Sequence, residues 1–186
     1  MNIDSHNHVH VWSIKSPLES TAMTHKFQIQ HEVEEFSLND FRNALANPQF
    51  HATLISRLPG TKVVIERSEL VNDQYHMQRA LNLAANIPKL AEKFLQDALR
   101  MKRVELWDLG NMTAQFKFIL NMPAEFRCSG QLVEKNGKVY FQQDWEVDVR
   151  IPLIHGTLAR HAEAEIRRFN AIETEAFQAT LREFCA

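Results

Sequence analysis

Glycine is scarce in this chain, with five among 186 residues. No glycine-rich loop can cradle a phosphate, and no G-x-S-x-G nucleophile elbow occurs. Cysteine is rarer still, with only Cys128 and Cys185. Two cysteines in apolar contexts do not make a disulfide framework, so a reducing, cytoplasmic setting is expected. No run of about 18 apolar residues exists, so no membrane-spanning helix and no stable membrane insertion are expected. The N-terminal residues carry Asp4 and histidines where a signal peptide needs a cationic start and an apolar stretch, so none is expected there. Charge of one sign is also missing. The net charge of −2 and pI near 6.5 give no electrostatic reason to expect a nucleic-acid partner.

What is present suits one soluble domain with a sizeable core: 45% of residues are hydrophobic and 24% charged. Residues 1–24 show neither a helical nor a strand period and are expected to form an extended or disordered tail. Met23 is a candidate start, and residues 25–186 are expected to form the domain. From His25 the chain alternates: Phe27, Ile29, His31 and Val33 share one face of a strand. Ser37 and Asp40 then make a capping pair before Leu38, Phe41 and Leu45. Asn47-Pro48 ends that helix and starts a second, over residues 48–57.

Strands follow over 61–72, 74–85, 99–109, 112–121, 125–135 and 138–151, with turn residues at Asn72-Asp73, Gly110-Asn111 and Asn136-Gly137. Such short connections specify an antiparallel meander. Residues 87–96 interrupt it as a short amphipathic segment, with Ile87, Leu90, Ala91, Phe94 and Leu95 on one side. The chain closes on a helix over 153–184, whose stripe includes Leu158, Ala162, Ile166, Phe169 and Phe177. Such a helix must lie across a sheet to bury that stripe.

Four stretches carry a resemblance: NPQFHATLISRLPG, IPKLAEKFL, VELWDL, and VRIPLIHGTLARHAEAEI with its Pro152 and Gly156. Together with the order of elements, they resemble the START-like, helix-grip (SRPBCC) superfamily. Within it the chain looks most like a branch of unknown function near the polyketide cyclase and lipid-transfer groups. The resemblance implies an α+β helix-grip fold. In that fold a curved antiparallel sheet of about seven strands wraps around the long C-terminal helix, and two short helices follow the first strand. It also implies a hydrophobic cavity between sheet and helix.

The strand faces agree. Val139, Phe141, Gln143, Trp145, Val147, Val149 and Ile151 share one face of the last strand. Phe116, Phe118 and Leu120 repeat the pattern, as do Tyr75, Met77, Leu81 and Leu83 around Arg79. The cavity candidates are therefore His31, Arg67, Arg79, Trp107, Phe116, Phe118, Phe141, Gln143 and Trp145, with Leu158, Ile166 and Phe169 from the helix. A charge on a buried face must be paired or reach a ligand. Arg67 and Arg79 therefore either fix a polar ligand head or pair structurally, Arg79 with Glu69 across the hairpin for example, unless a bulge turns them outward. In the strand at 99–109, Val104 and Leu106 fall opposite Leu99 and Met101, which suggests a bulge near Lys102-Arg103.

One motif points elsewhere. His6, His8 and His10 in IDSHNHVHVW resemble the first metal-binding strand of the amidohydrolases. Those enzymes need an eightfold βα barrel, and nothing here alternates strand and helix. A metal-dependent hydrolase is thus the minor reading, and no metal or cofactor is expected. The main reading is carriage of a lipid, fatty acid, quinone or polyketide-like molecule. The alternative is a cyclase, dehydratase or hydrolase acting in the same cavity, with His31, Glu69 or Glu105 as weak acid–base candidates. No convincing catalytic constellation is visible, which favours carriage over an enzyme.

Overall fold

The computed structural model describes residues 24–33, 35–93 and 99–185. The histidine stretch and the rest of the expected tail up to residue 23 lie outside the described residues, as do Phe94 and Leu95. Seven antiparallel strands form one sheet in the order β1-β7-β6-β5-β4-β3-β2. They are β1 (His25–Val33), β2 (Thr61–Val71), β3 (Gln74–Asn82), β4 (Arg100–Asp108), β5 (Thr113–Leu120), β6 (Ala124–Lys135) and β7 (Lys138–Val149). The helices are α1 (Leu38–Leu45), α2 (Pro48–Arg57), α3 (Lys89–Glu92) and α4 (His155–Phe184). This is the α+β helix-grip architecture. Among the described residues no helix is long and apolar enough to cross a membrane.

Local chemistry explains the turns. Asn72 and Asp73 both have positive φ (49° and 60°), as do Asn136 and Gly137 (54° and 73°). Each pair closes a two-residue hairpin of the kind that matches strand twist. At Ser37 the hydroxyl accepts from Asp40 N, and the Asp40 carboxylate accepts from Ser37 N at 2.8 Å. This reciprocal cap starts α1. Asn47 caps α2 by accepting from Gln49 N at 2.9 Å, with Pro48 in the first turn.

The first strand closes the meander. β1 pairs with β7 from His25↔Val147 to Val33↔Val139. At the other edge, β2 is exposed along its whole length. The inner face of the sheet carries Tyr75, Met77, Arg79 and Leu81 from β3, and Arg103, Glu105 and Trp107 from β4. Ala114, Phe116 and Phe118 come from β5, and Val139, Gln143, Trp145, Val147 and Val149 from β7. Helix α4, about 45 Å long at 1.5 Å per residue, lies against β7, β1, α1 and α2.

Two expectations change. β4 pairs in unbroken register with β3 and β5, so no bulge occurs at Lys102-Arg103. Met101, Arg103, Glu105 and Trp107 all take the inner face, and two of them are charged. β2 carries two register shifts instead, the second between Ile65↔Arg79 and Arg67↔Gln78. That shift moves Arg67 from the face Ile65 shares with Arg79 to the outer one.

Candidate functional site: a two-chambered cavity with a charged partition

Between sheet and α4 lie two chambers, arranged end to end along the helix. The larger has a volume of about 160 Å³ and the smaller about 70 Å³. One water needs roughly 10–15 Å³ of such space, so both exceed a single solvent site. The larger chamber follows α4 from Leu158 to Glu173, a run of about 22 Å at 1.5 Å per residue. The smaller lies against Asn170, Thr174, Phe177 and Gln178.

The sequence-derived candidates divide between them. Arg79, Leu158, Ile166 and Phe169 line the larger chamber. His31, Trp107, Phe116, Phe141 and Gln143 line the smaller. Phe118 and Trp145 face both. Arg67 faces neither. It stands on the outer side of β2 and pairs with Glu69, both side chains being 48% exposed. Arg79 therefore does not meet Glu69; its ion-pair partner is Glu105.

The walls are mostly apolar and aromatic. Trp107 packs edge-on against Phe116 and stacks with Phe141, with centroids 5.7 and 5.6 Å apart. Trp145 stacks with Phe118 at 5.1 Å. Such pairs add about 0.5–1.5 kcal/mol each beyond simple burial.

A polar partition separates the chambers. Arg103, Asn170 and Glu173 touch both. Arg103 grips Glu173 with two nitrogens, Nη1 to Oε2 at 2.9 Å and Nη2 to Oε1 at 2.8 Å. Its Nε lies 2.9 Å from Glu105 Oε1, an ion-pair distance, but the N–H is not aimed for a hydrogen bond. Arg79 Nη2 approaches the same Glu105 oxygen at 3.4 Å. A second polar chain crosses beside it. His31 Nε2 donates to Asn170 Oδ1, Asn170 Nδ2 donates to Gln143 Oε1 at 2.7 Å, and Trp145 Nε1 donates to that same oxygen at 3.1 Å.

These pairings set the charges. Burial alone pushes the Glu173 carboxyl up, but Arg103 and Arg79 outweigh it and hold it below the usual range. Burial pulls Arg103 down, yet Glu105 and Glu173 leave it raised above an ordinary arginine. Arg79 ends lowered: burial acts first, then repulsion from Arg103, with Glu105 and Glu173 offsetting only part.

Arg103, Glu173 and Asn170 were not among the sequence-derived candidates, although a signal for Glu173 existed. It stands four residues after Phe169 and four before Phe177, within the apolar stripe of α4. A carboxylate there must meet a cation or an opening.

His51 forms a separate buried feature at the edge of the smaller chamber. Its ring stacks on Tyr75 at 3.7 Å, and Nε2 donates to the Leu45 carbonyl at 2.7 Å. Burial lowers its pKa; the Leu45 bond opposes this only in part. A depressed folded pKa contributes stability that is complete above the unfolded value, about 6.5, and is lost as pH falls below it. Urea unfolding at about pH 7.5 and about pH 5.5 is expected to show a smaller loss for His51→Gln than for the wild type. Equal losses would remove His51 from the acid sensitivity.

The chain is similar to known proteins in the following ways. The family described as "Protein of unknown function (DUF2505)" matches residues 28–181. No curated protein matches. TTHA0849 from Thermus thermophilus aligns at TM-score 0.59 and 8% identity, over 85% of this chain and 97% of its own. The Zhui aromatase/cyclase from Streptomyces sp. R1128 aligns at 0.59 and 10% identity, over 88% and 96%. Ginseng major latex-like protein 151 from Panax ginseng aligns at 0.54 and 12% identity, over 84% and 96%. At these identities the likeness establishes the fold alone.

Proposed function

This chain belongs to the DUF2505 family of proteins of unknown function, and from that premise we propose that it binds and carries an apolar small molecule. The molecule occupies the larger chamber, between the inner face of the sheet and α4. The observation that carries the reading is that chamber: about 160 Å³ of mostly apolar-walled space between sheet and helix, well above a single solvent site. Its walls are Leu81, Met101, Phe118, Trp145, Ile166 and Phe169. Apolar ligand surface buried there gains roughly 25 cal/mol per Å².

Carriage is favoured over catalysis by the state of the titratable groups. Arg103 and Arg79 hold the Glu173 carboxylate ionised, so it is no general acid near neutral pH. Cys128 is buried, and burial pushes its thiol up to about 12, so it is no ready nucleophile. Turnover in the cavity is the second reading, and the aromatase/cyclase among the structural neighbours is what favours it.

Tryptophan fluorescence tests the proposal. Trp145 faces both chambers. Titration with a bromine-labelled fatty acid is expected to quench emission saturably at one equivalent, with reversal by the unlabelled acid. Emission unchanged up to the solubility limit of the probe would contradict occupancy of the chamber.

A further inference from the structure

Arg79 is the unusual residue of the partition. It is only 5% exposed and lines the larger chamber. A guanidinium carries five N–H donors and no acceptor, so it must find oxygen atoms to be buried without a large penalty. Among the described residues it finds little. Its contact to Glu105 is 3.4 Å, long for a charged hydrogen bond, and Arg103 stands closer to the same oxygen at 2.9 Å. Both Glu173 oxygens are engaged by Arg103. Arg79 Nε is buried without any hydrogen-bond partner. Arg103 thus holds the two carboxylates, and Arg79 is left as an under-compensated cation at the chamber wall.

We infer that the larger chamber takes an amphiphile ending in a single carboxylate, with that carboxylate docked on Arg79. The inference rests on the carriage reading above and adds the class of head group. A carboxylate presents two coplanar oxygens that match a guanidinium edge through two parallel hydrogen bonds. The apolar tail then follows α4 past Ile166, Ala162 and Leu158; the one acidic side chain on that stretch of the lining, Glu165, is already engaged by Arg168 and Asn86. A neutral carbonyl or hydroxyl head offers one oxygen and leaves the cation uncompensated.

Titration calorimetry of the full chain at about pH 8, where a carboxylic acid is ionised, tests this. The probes are dodecanoate, methyl dodecanoate and dodecanol. Dodecanoate is expected to bind at least about tenfold tighter than either neutral probe, a difference of about 1.4 kcal/mol. Arg79→Met is expected to bring the acid down to the affinity of the ester and to leave the ester within about twofold. Arg79→Lys keeps the charge without the fork and is expected to retain part of the preference. Equal binding of all three probes by the wild type overturns the carboxylate inference and leaves apolar carriage standing. An equal loss for acid and ester in Arg79→Met overturns it as well. Failure of all three probes to bind overturns both readings. The wild-type comparison needs no variant, so the inference stays testable even where a substitution fails to fold.

Discussion

Replacement of Arg103 by methionine is expected to lower the unfolding free energy by about 3–5 kcal/mol. Arg103 is 8% exposed and sits between Glu105 and Glu173, gripping the latter with two nitrogens. Its guanidinium also lies over the Phe116 and Phe118 rings, 5.1 and 5.3 Å from their centroids. Removal of one partner of a buried pair leaves the other charge without compensation, and that penalty exceeds the net contribution of the pair. Two carboxylates would then depend on Arg79 alone. In a domain of this size the loss corresponds to roughly 6–20 °C in Tm. A surface arginine provides the comparison. Arg127 pairs with Glu125 from a side chain that is 61% exposed, and Arg127→Met is expected to cost under about 1 kcal/mol. The account predicts that Glu173→Gln in the Arg103→Met background recovers part of the loss, because it removes the stranded charge. If Arg103→Met unfolds within about 1 kcal/mol of the wild type, the partition does not hold the site together.

The second large effect concerns binding. Ala162 lines the larger chamber from α4. Substitution by tryptophan places an indole in the space the ligand is proposed to occupy. Affinity for any apolar ligand of that chamber is expected to fall at least about a hundredfold, close to 3 kcal/mol. Stability should hold or rise, since the new side chain fills a void instead of displacing neighbours. Thermal unfolding and ligand titration on the same sample separate the two effects. Unchanged affinity in a folded Ala162→Trp protein would place the ligand elsewhere.

Much of the fold was legible in the sequence because its signals are local. Asn72-Asp73 and Asn136-Gly137 fix hairpins through backbone conformations that few residues adopt easily, and both appear where the strand pattern needed them. The Ser37–Asp40 cap, Pro48 and the stripe of α4 are equally local. Element ends were less exact. β3 ends at Asn82 and β7 at Val149, short of the expected limits of 85 and 151, and α4 begins at His155 instead of 153.

The site was legible in part, and for a physical reason. Aromatic residues on alternate strand positions betray an apolar inner face, so Phe116, Phe118, Phe141 and Trp145 could be read directly. Charged residues on such a face break the same pattern. Arg103 and Glu105 made β4 look irregular, and a bulge was the simpler explanation within one strand. The partner of Arg103, Glu173, arrives from α4, 70 residues away in sequence. Only the packed fold brings the cation and the anion together. Arg67 fails in the opposite sense: its strand alternates on paper, but the register shift after Ile65 turns it outward.

Native mass spectrometry of the protein purified from its own host, with organic extraction of whatever stays bound, tests the central claim most directly. The account predicts a co-purifying apolar molecule at one per chain in the wild type, absent from Ala162→Trp. A bare chain mass for the wild type, with no gain on exposure to host lipid extract, would contradict it.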